Sequence, residues 1–198
     1  MGGLLVIMSS PSGGGKTTII QRILKQYPDA FAYSISATTR KMRPGEKDGV
    51  DYFFLSEQEF QQDVENSKFL EWEEVHGYYY GTPLSYIEKL VTTGKHVFLD
   101  IDVNGALQVK KKYPGKAITI FIAPPSVDEL IKRLKNRKTD SDQEINRRLQ
   151  RIPMEMEKSD QFEFIIINEE IGKSVREVLE IIRRYDPTTK NRTVDSGI

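Results

Sequence analysis

Residues 9–18 read Ser-Ser-Pro-Ser-Gly-Gly-Gly-Lys-Thr-Thr, between the apolar run Leu4–Met8 and an amphipathic stretch that opens near Lys16. A strand, a phosphate-cradling loop and a helix come in this order. Glycine has no Cβ, so Gly13, Gly14 and Gly15 let backbone N–H groups converge on phosphate oxygens. The helix adds its unpaired N–H groups and the positive end of its dipole. Lys16 then reaches the β- and γ-phosphates, and the Thr17 hydroxyl supplies a ligand for Mg²⁺. The pattern G-x-x-x-x-G-K-[ST] asks for glycine six residues before the lysine, where this chain has Ser10. That departure touches only the turn leaving the strand. A glycine-rich connection without a ligand is the plain alternative, and the lysine, the hydroxyl and the flanking elements all count against it. The chemistry indicated is that of a nucleoside triphosphate.

A second set of residues concerns the acceptor. Arg40 and Arg43 stand three apart just after a strand-like segment, and Gly49-Val50-Asp51-Tyr52-Phe53-Phe54 follows. A guanidinium fork suits bidentate phosphate recognition, and a tyrosine hydroxyl can join it. Taken alone, two such arginines are more often solvated surface charges. Phe69-Leu70-Glu71-Trp72 holds a carboxylate between large apolar groups, with Tyr78-Tyr79-Tyr80-Gly81-Thr82 beyond it. Glu71 alone could sit on the rim of a hairpin, and Trp72, Tyr78 and Tyr79 read as packing aromatics.

These groups need a scaffold. Leu4–Met8, His96–Ile101, Ala117–Ile122 and Phe162–Ile167 read as buried parallel strands, with Phe31–Ile35 a weaker fifth. Helical stripes cover Thr17–Tyr27, Val103–Tyr113, Ser126–Arg137 and Ser174–Tyr185. Strand–helix alternation predicts a parallel sheet with right-handed crossovers, with ligands beyond the carboxyl ends of its strands. Two stretches break the alternation. Residues 36–95 predict a small α+β insertion, with a strand at Tyr52–Leu55, a helix at Ser56–Glu65, β structure over Phe69–Gly81 and a helix at Pro83–Thr92. Residues 128–158 predict a basic helical lid, capped by Thr139–Asp142 and bent or divided at Pro153. The core is then 1–35 with 96–127 and 159–198. The polar tail from Asp186 is expected to be mobile. Gly45, Gly49, Gly81 and Gly94 are candidate flexible points.

The 198 residues fit one domain's core with room for small insertions. Net charge is zero, so no nucleic-acid surface or anionic membrane is indicated. The chain has no cysteine, which excludes disulfides and thiolate metal sites and suits a reducing cytoplasm. No run approaches membrane-spanning length. His76 and His96 lack metal-ligand spacing and read as structural or exposed. Asp140 and Asp142 read as loop and cap, and Lys110–Lys112 as an exposed helix end.

The segments SSPSGGGKTT, SISATTRKMRPGE, GVDYFF, FLEW, YYYGT, FLDIDVNG, FIAPPS and INRRL run in order from about residue 4 to 170. In this ordered set the chain resembles guanylate kinases, a family of P-loop nucleoside monophosphate kinases. The resemblance implies Mg²⁺-dependent transfer of the ATP γ-phosphoryl group to GMP or dGMP, in a P-loop core with a GMP-binding insertion and a lid. It implies that Ser12, Gly13, Gly14, Gly15, Lys16, Thr17 and Thr18 hold ATP, with Asn168 near the adenine. Arg40, Arg43, Tyr52 and Tyr80 would hold the GMP phosphate, with Glu46 and Gly81 in the same set. Glu71 would face the guanine edge with Ser36 and Thr82. One ionised carboxylate can accept from both guanine N1–H and the exocyclic amine, a pair that adenine lacks. Asp100 and Asp102 would lie between the nucleotides and order Mg²⁺ through water, beside the metal ligand Thr17. Arg133, Arg137 and Arg148 would close over the transferring group, with Lys16, Arg40 and Asp102 completing the catalytic set. Arg147 and Arg151 are expected on a solvated face, turned away from Arg148.

The partners expected are ATP and GMP, for a cytoplasmic monomer or homodimer without nucleic-acid or membrane contacts. Two rivals are a catalytically inactive relative that binds phosphopeptides and a kinase with another phosphorylated acceptor. Retention of Lys16 and the lid arginines counts against the first, and the Glu71, Ser36 and Thr82 set against the second.

Overall fold

A computed structural model describes residues 3–75, 77–135, 142–186, 188–189 and 193. Its centre is a five-stranded, wholly parallel sheet in the order β2-β7-β1-β8-β9, built from β1 (Leu5–Ser9), β2 (Phe31–Tyr33), β7 (His96–Asp100), β8 (Ala117–Ala123) and β9 (Phe164–Ile167). Every residue of β1 and β8 is buried. That explains why both are continuous apolar runs rather than alternating ones. Helices α1 (Lys16–Gln26) and α7 (Ile171–Tyr185) pack together on one face, where Ile19, Ile20 and Ile23 meet Val178, Leu179 and Ile182. On the other face, α4 (Val103–Lys112) and α3 (Leu84–Thr92) pack against Leu5, Ile7, Val97 and Leu99. The parallel sheet and its two helical layers are the architecture that the alternating pattern predicts.

A second sheet, in the order β4-β3-β6-β5, uses β3 (Ala37–Thr38), β4 (Phe53–Phe54), β5 (Phe69–Val75) and β6 (Tyr78–Pro83). Phe60 of α2 (Glu57–Glu65) stacks on Phe69 and Tyr79 to form its small core. Ser56 and Glu59 cap α2 reciprocally, satisfying two of its first N–H groups. This sheet lies within residues 36–95. Yet α3, in the same stretch, gives Leu84, Ile87 and Leu90 to the central core. Gly81 is no flexible point: a Cβ there would meet Phe69 at 2.9 Å and Phe60 at 3.1 Å, so glycine permits close packing.

Helices α5 (Val127–Lys135) and α6 (Asp142–Glu157) meet through Leu130, Leu134 and Ile152. Of the bend or division expected at Pro153, the division does not occur: α6 continues through Pro153, which lacks the N–H of a helical bond. Arg137 and the cap at Thr139–Ser141 lie outside the described residues, as does His76.

Part of the tail is anchored. Thr189 is fully buried with its hydroxyl 2.7 Å from His96 Nε2, and Arg183 donates to the Thr193 hydroxyl and carbonyl. His96 is itself fully buried, and its Nδ1 accepts from Leu4 N–H at 3.1 Å. That bond leaves Nε2 as the protonated nitrogen, able to donate to Thr189.

Candidate active site

The strand ends and helix starts converge on two adjoining cavities. The first, about 190 Å³, is formed by residues 10–18 with Asp100 and Arg148. Gly13 and Gly15 adopt φ of +92° and +94°, the left-handed region where a Cβ is strained. A Cβ on Gly15 would also lie 2.3 Å from Asn168 Nδ2. The loop therefore closes tightly at the start of α1. Lys16 Nζ lies 2.5 Å from Asp100 Oδ1 and donates to the Ile101 carbonyl, while Thr17 Oγ1 donates to Asp100 Oδ2 at 2.8 Å. Asp100, the last residue of β7, thus ties the lysine and the hydroxyl together.

The second cavity, about 280 Å³, shares Ser10, Ser12, Lys16, Asp100 and Arg148 with the first. Its lining adds Ser36, Arg40, Arg43, Glu46, Tyr52, Tyr80 and Gly81, together with Glu71, Asp102 and Glu155. Arg40 is 9% exposed and donates in a fork to Glu46 at 2.7 and 3.1 Å, while Glu46 also accepts from Arg43 N–H. Burial opposes the Arg40 charge, but the Glu46 hydrogen bond and charge prevail and hold its pKa above the ordinary value. Its guanidinium lies over the Tyr52 ring at 5.4 Å. Burial and the Asp100 charge raise the Tyr52 hydroxyl to about 12, so it stays protonated and able to donate.

Glu71 is the buried acid of this cavity. It is 5% exposed and accepts from Thr82 Oγ1 at 2.5 Å. Burial, with the nearby charges of Asp102 and Glu73, outweighs that bond and raises it to about 7. Asp102 caps α4, accepting from Gly105 N–H at 2.8 Å.

In the comparisons, the guanylate kinase family profile matches residues 3–185. The chain belongs to the guanylate kinase family. It is 44% identical over 180 residues to a guanylate kinase of Desulfitobacterium hafniense, covering 91% of this chain and 89% of that one. It is 45% identical over 183 residues to one from Thermotoga maritima, covering 92% and 87%. Among solved structures, guanylate kinase from Anaplasma phagocytophilum superposes with a TM-score of 0.74 at 30% identity, covering 92% of this chain and 86% of that one.

Within this guanylate kinase fold, not every anticipated residue reaches the cavities. Arg133 lines neither; it donates to Glu129 one turn earlier and to the Asn168 carbonyl. Asn168 is 1% exposed and spends its side chain on Gly14 O and Ser174 Oγ, so it braces the glycine-rich loop. Arg148 does arrive, donating to Ser12 Oγ at 2.5 Å. Arg151 is not on a solvated face. A three-residue step turns a helix by only about 60° from its start, and Arg151 lies 3.2 Å from Asp102 Oδ2. Glu73 and Glu155 also line the site, although no motif marks them, and Gly105, which closes the FLDIDVNG segment, stands beside Glu71.

Proposed function

We propose that this chain transfers the γ-phosphoryl group of ATP to GMP, giving ADP and GDP. The observation that carries this reading is the shared wall: Lys16, Asp100, Ser12 and Arg148 border both cavities, so donor and acceptor face each other. The Gly13–Thr18 loop takes the ATP phosphates, and Arg40, Arg43, Tyr52 and Tyr80 take the GMP phosphate. The Arg40–Glu46 fork presets the guanidinium before a phosphate arrives. Glu71, steadied by Thr82, reads the guanine edge. Presented with AMP, the buried carboxylate would lose the donor pair; mismatches of this kind cost factors of about 10⁴.

Mg²⁺ suits the oxygen donors at the loop, where the Thr17 hydroxyl and Asp100 carboxylate stand 2.8 Å apart. When bound, it neutralises charge on the phosphate oxygens. This chain's own residues supply position and charge: Lys16 and Arg148 from the donor side, Arg40 from the acceptor side, with Asp100 and Asp102 between. The acceptor phosphate is already ionised, so the transfer needs no strong base and no covalent enzyme intermediate. Residues 36–95 and 128–158 close on the nucleotides and exclude water. Such an enzyme acts in the cytoplasm as a monomer or homodimer.

Purified chain given ATP, Mg²⁺ and GMP is expected to form ADP and GDP in equal amounts. Lys16→Ala is expected to lower kcat by about 10³ or more while circular dichroism is unchanged. Full activity in that variant would remove the assignment of the loop.

A further inference from the structure

Helix α6 carries two arginines to two different destinations. Arg148 donates to Ser12 in the phosphate loop, and three residues later Arg151 Nη2 donates to Asp102 Oδ2 at 3.2 Å. Residues at this spacing share one side of a helix, so a single seating of α6 sets both contacts. Asp102 Oδ1 is taken by Gly105 N–H, so both carboxylate oxygens are held. The pair is sheltered, with side chains 20% and 15% exposed, and escapes much of the screening that weakens surface ion pairs. A second tie runs parallel to it. Lys158, just past α6, donates to Asn104, and Asn104 donates to Glu73 on β5 at 3.0 Å. The first turn of α4 therefore joins the lid to the strand that carries Glu71.

We propose that Arg151 is a positioning residue for the acceptor: seating α6 on the donor loop brings Arg151 onto Asp102, and that pair holds the acidic wall of the guanine pocket. Binding of donor and acceptor then reinforce each other. This inference rests on the GMP kinase reading above. Asp102, Glu71, Glu73 and Glu155 all line the pocket, where the Asp102 charge acts on both Glu71 and Glu155. Without Arg151, Asp102 becomes a partly buried carboxylate without its cation among three other acids, which disfavours the arrangement that guanine requires. Coupling of this kind is reciprocal, so GMP tightens the donor by the same factor that the donor tightens GMP.

The test is calorimetry on the full chain with Mg²⁺, using a non-hydrolysable ATP analogue with and without saturating GMP, beside steady-state kinetics. Arg151→Gln, Arg151→Lys, Asp102→Asn and the Gln/Asn double variant are compared with the parent. In the parent, GMP is expected to tighten the analogue about fivefold or more. Arg151→Gln is expected to abolish that tightening and raise KM for GMP about tenfold, leaving the analogue alone within about twofold. Arg151→Lys restores part of the tightening. The double variant binds GMP no worse than the weaker single one, as expected for residues acting through one contact. Coupling that persists in Arg151→Gln, coupling absent from the parent, or equal weakening of both nucleotides with a lower Tm would overturn the proposal. A parent chain that forms no GDP overturns the functional reading as well, so the two failures are distinguishable.

Discussion

At the scale of single residues, Glu71 concentrates the argument, because its burial sets both its affinity for protons and its use. The folded chain holds the Glu71 proton more tightly than the unfolded chain does, with a carboxyl raised from 4.5 to about 7. The group's contribution to stability is therefore complete below pH 4.5 and is lost as pH rises towards 7. Glu71→Gln, which keeps an oxygen for Thr82, is expected to stabilise the chain without added nucleotide above pH 7 by up to about 3 kcal/mol. That gain should shrink towards pH 5 in thermal melts. Recognition runs the other way, since only the ionised carboxylate accepts both guanine donors. KM for GMP is expected to fall about tenfold from pH 6 to pH 8 in the parent and to lose this component in Glu71→Gln. The GMP phosphate titrates in both proteins, so the difference between their profiles isolates Glu71. Identical profiles would mean that Glu71 is structural.

Among elements, the first turn of α4 acts through partners distant in sequence, with Asn104 bonded to Glu73 and Gly105 set beside Glu71. A Cβ on Gly105 would stand 2.4 Å from Glu71 Oε2, the far end of a side chain that can move. Gly105→Ala should therefore cost little stability, since alanine favours the helix by about 1 kcal/mol. It should nevertheless displace the Glu71 carboxylate, which we propose reads guanine. The expected outcome is a Tm within about 4 °C of the parent, KM for GMP raised about tenfold and KM for ATP unchanged. An unchanged KM for GMP would show that the Glu71 position tolerates the shift. The phosphate loop was readable because its glycines, lysine and hydroxyl are contiguous and their φ demands are local. Strand β3 was missed because two residues cannot display a period. Arg151 is not readable from sequence because its partner lies 49 positions away, and the bond from Asn168 to Gly14 spans 154 positions. The anchored tail was hidden for the same reason: Thr189 meets His96 only once β7 and α7 are in place.

At the scale of the whole molecule, one sheet end presents the glycine-rich loop, and a second sheet presents the Arg40–Glu46 fork and the buried Glu71 across a common wall. The parallel sheet was legible as continuous apolar runs, because strands covered on both faces cannot alternate. The second sheet was legible only as an interruption of that pattern, and its α3 helix packs on the main core although it lies in the interrupting stretch. We propose that this geometry selects guanine as acceptor. The most direct test is ADP release by the purified chain with ATP and Mg²⁺ across GMP, dGMP, AMP, UMP and ribose phosphates. The prediction is robust turnover with GMP and dGMP, and kcat/KM for AMP lower by about 10⁴. Comparable turnover of AMP or a ribose phosphate, or none with GMP, would contradict it.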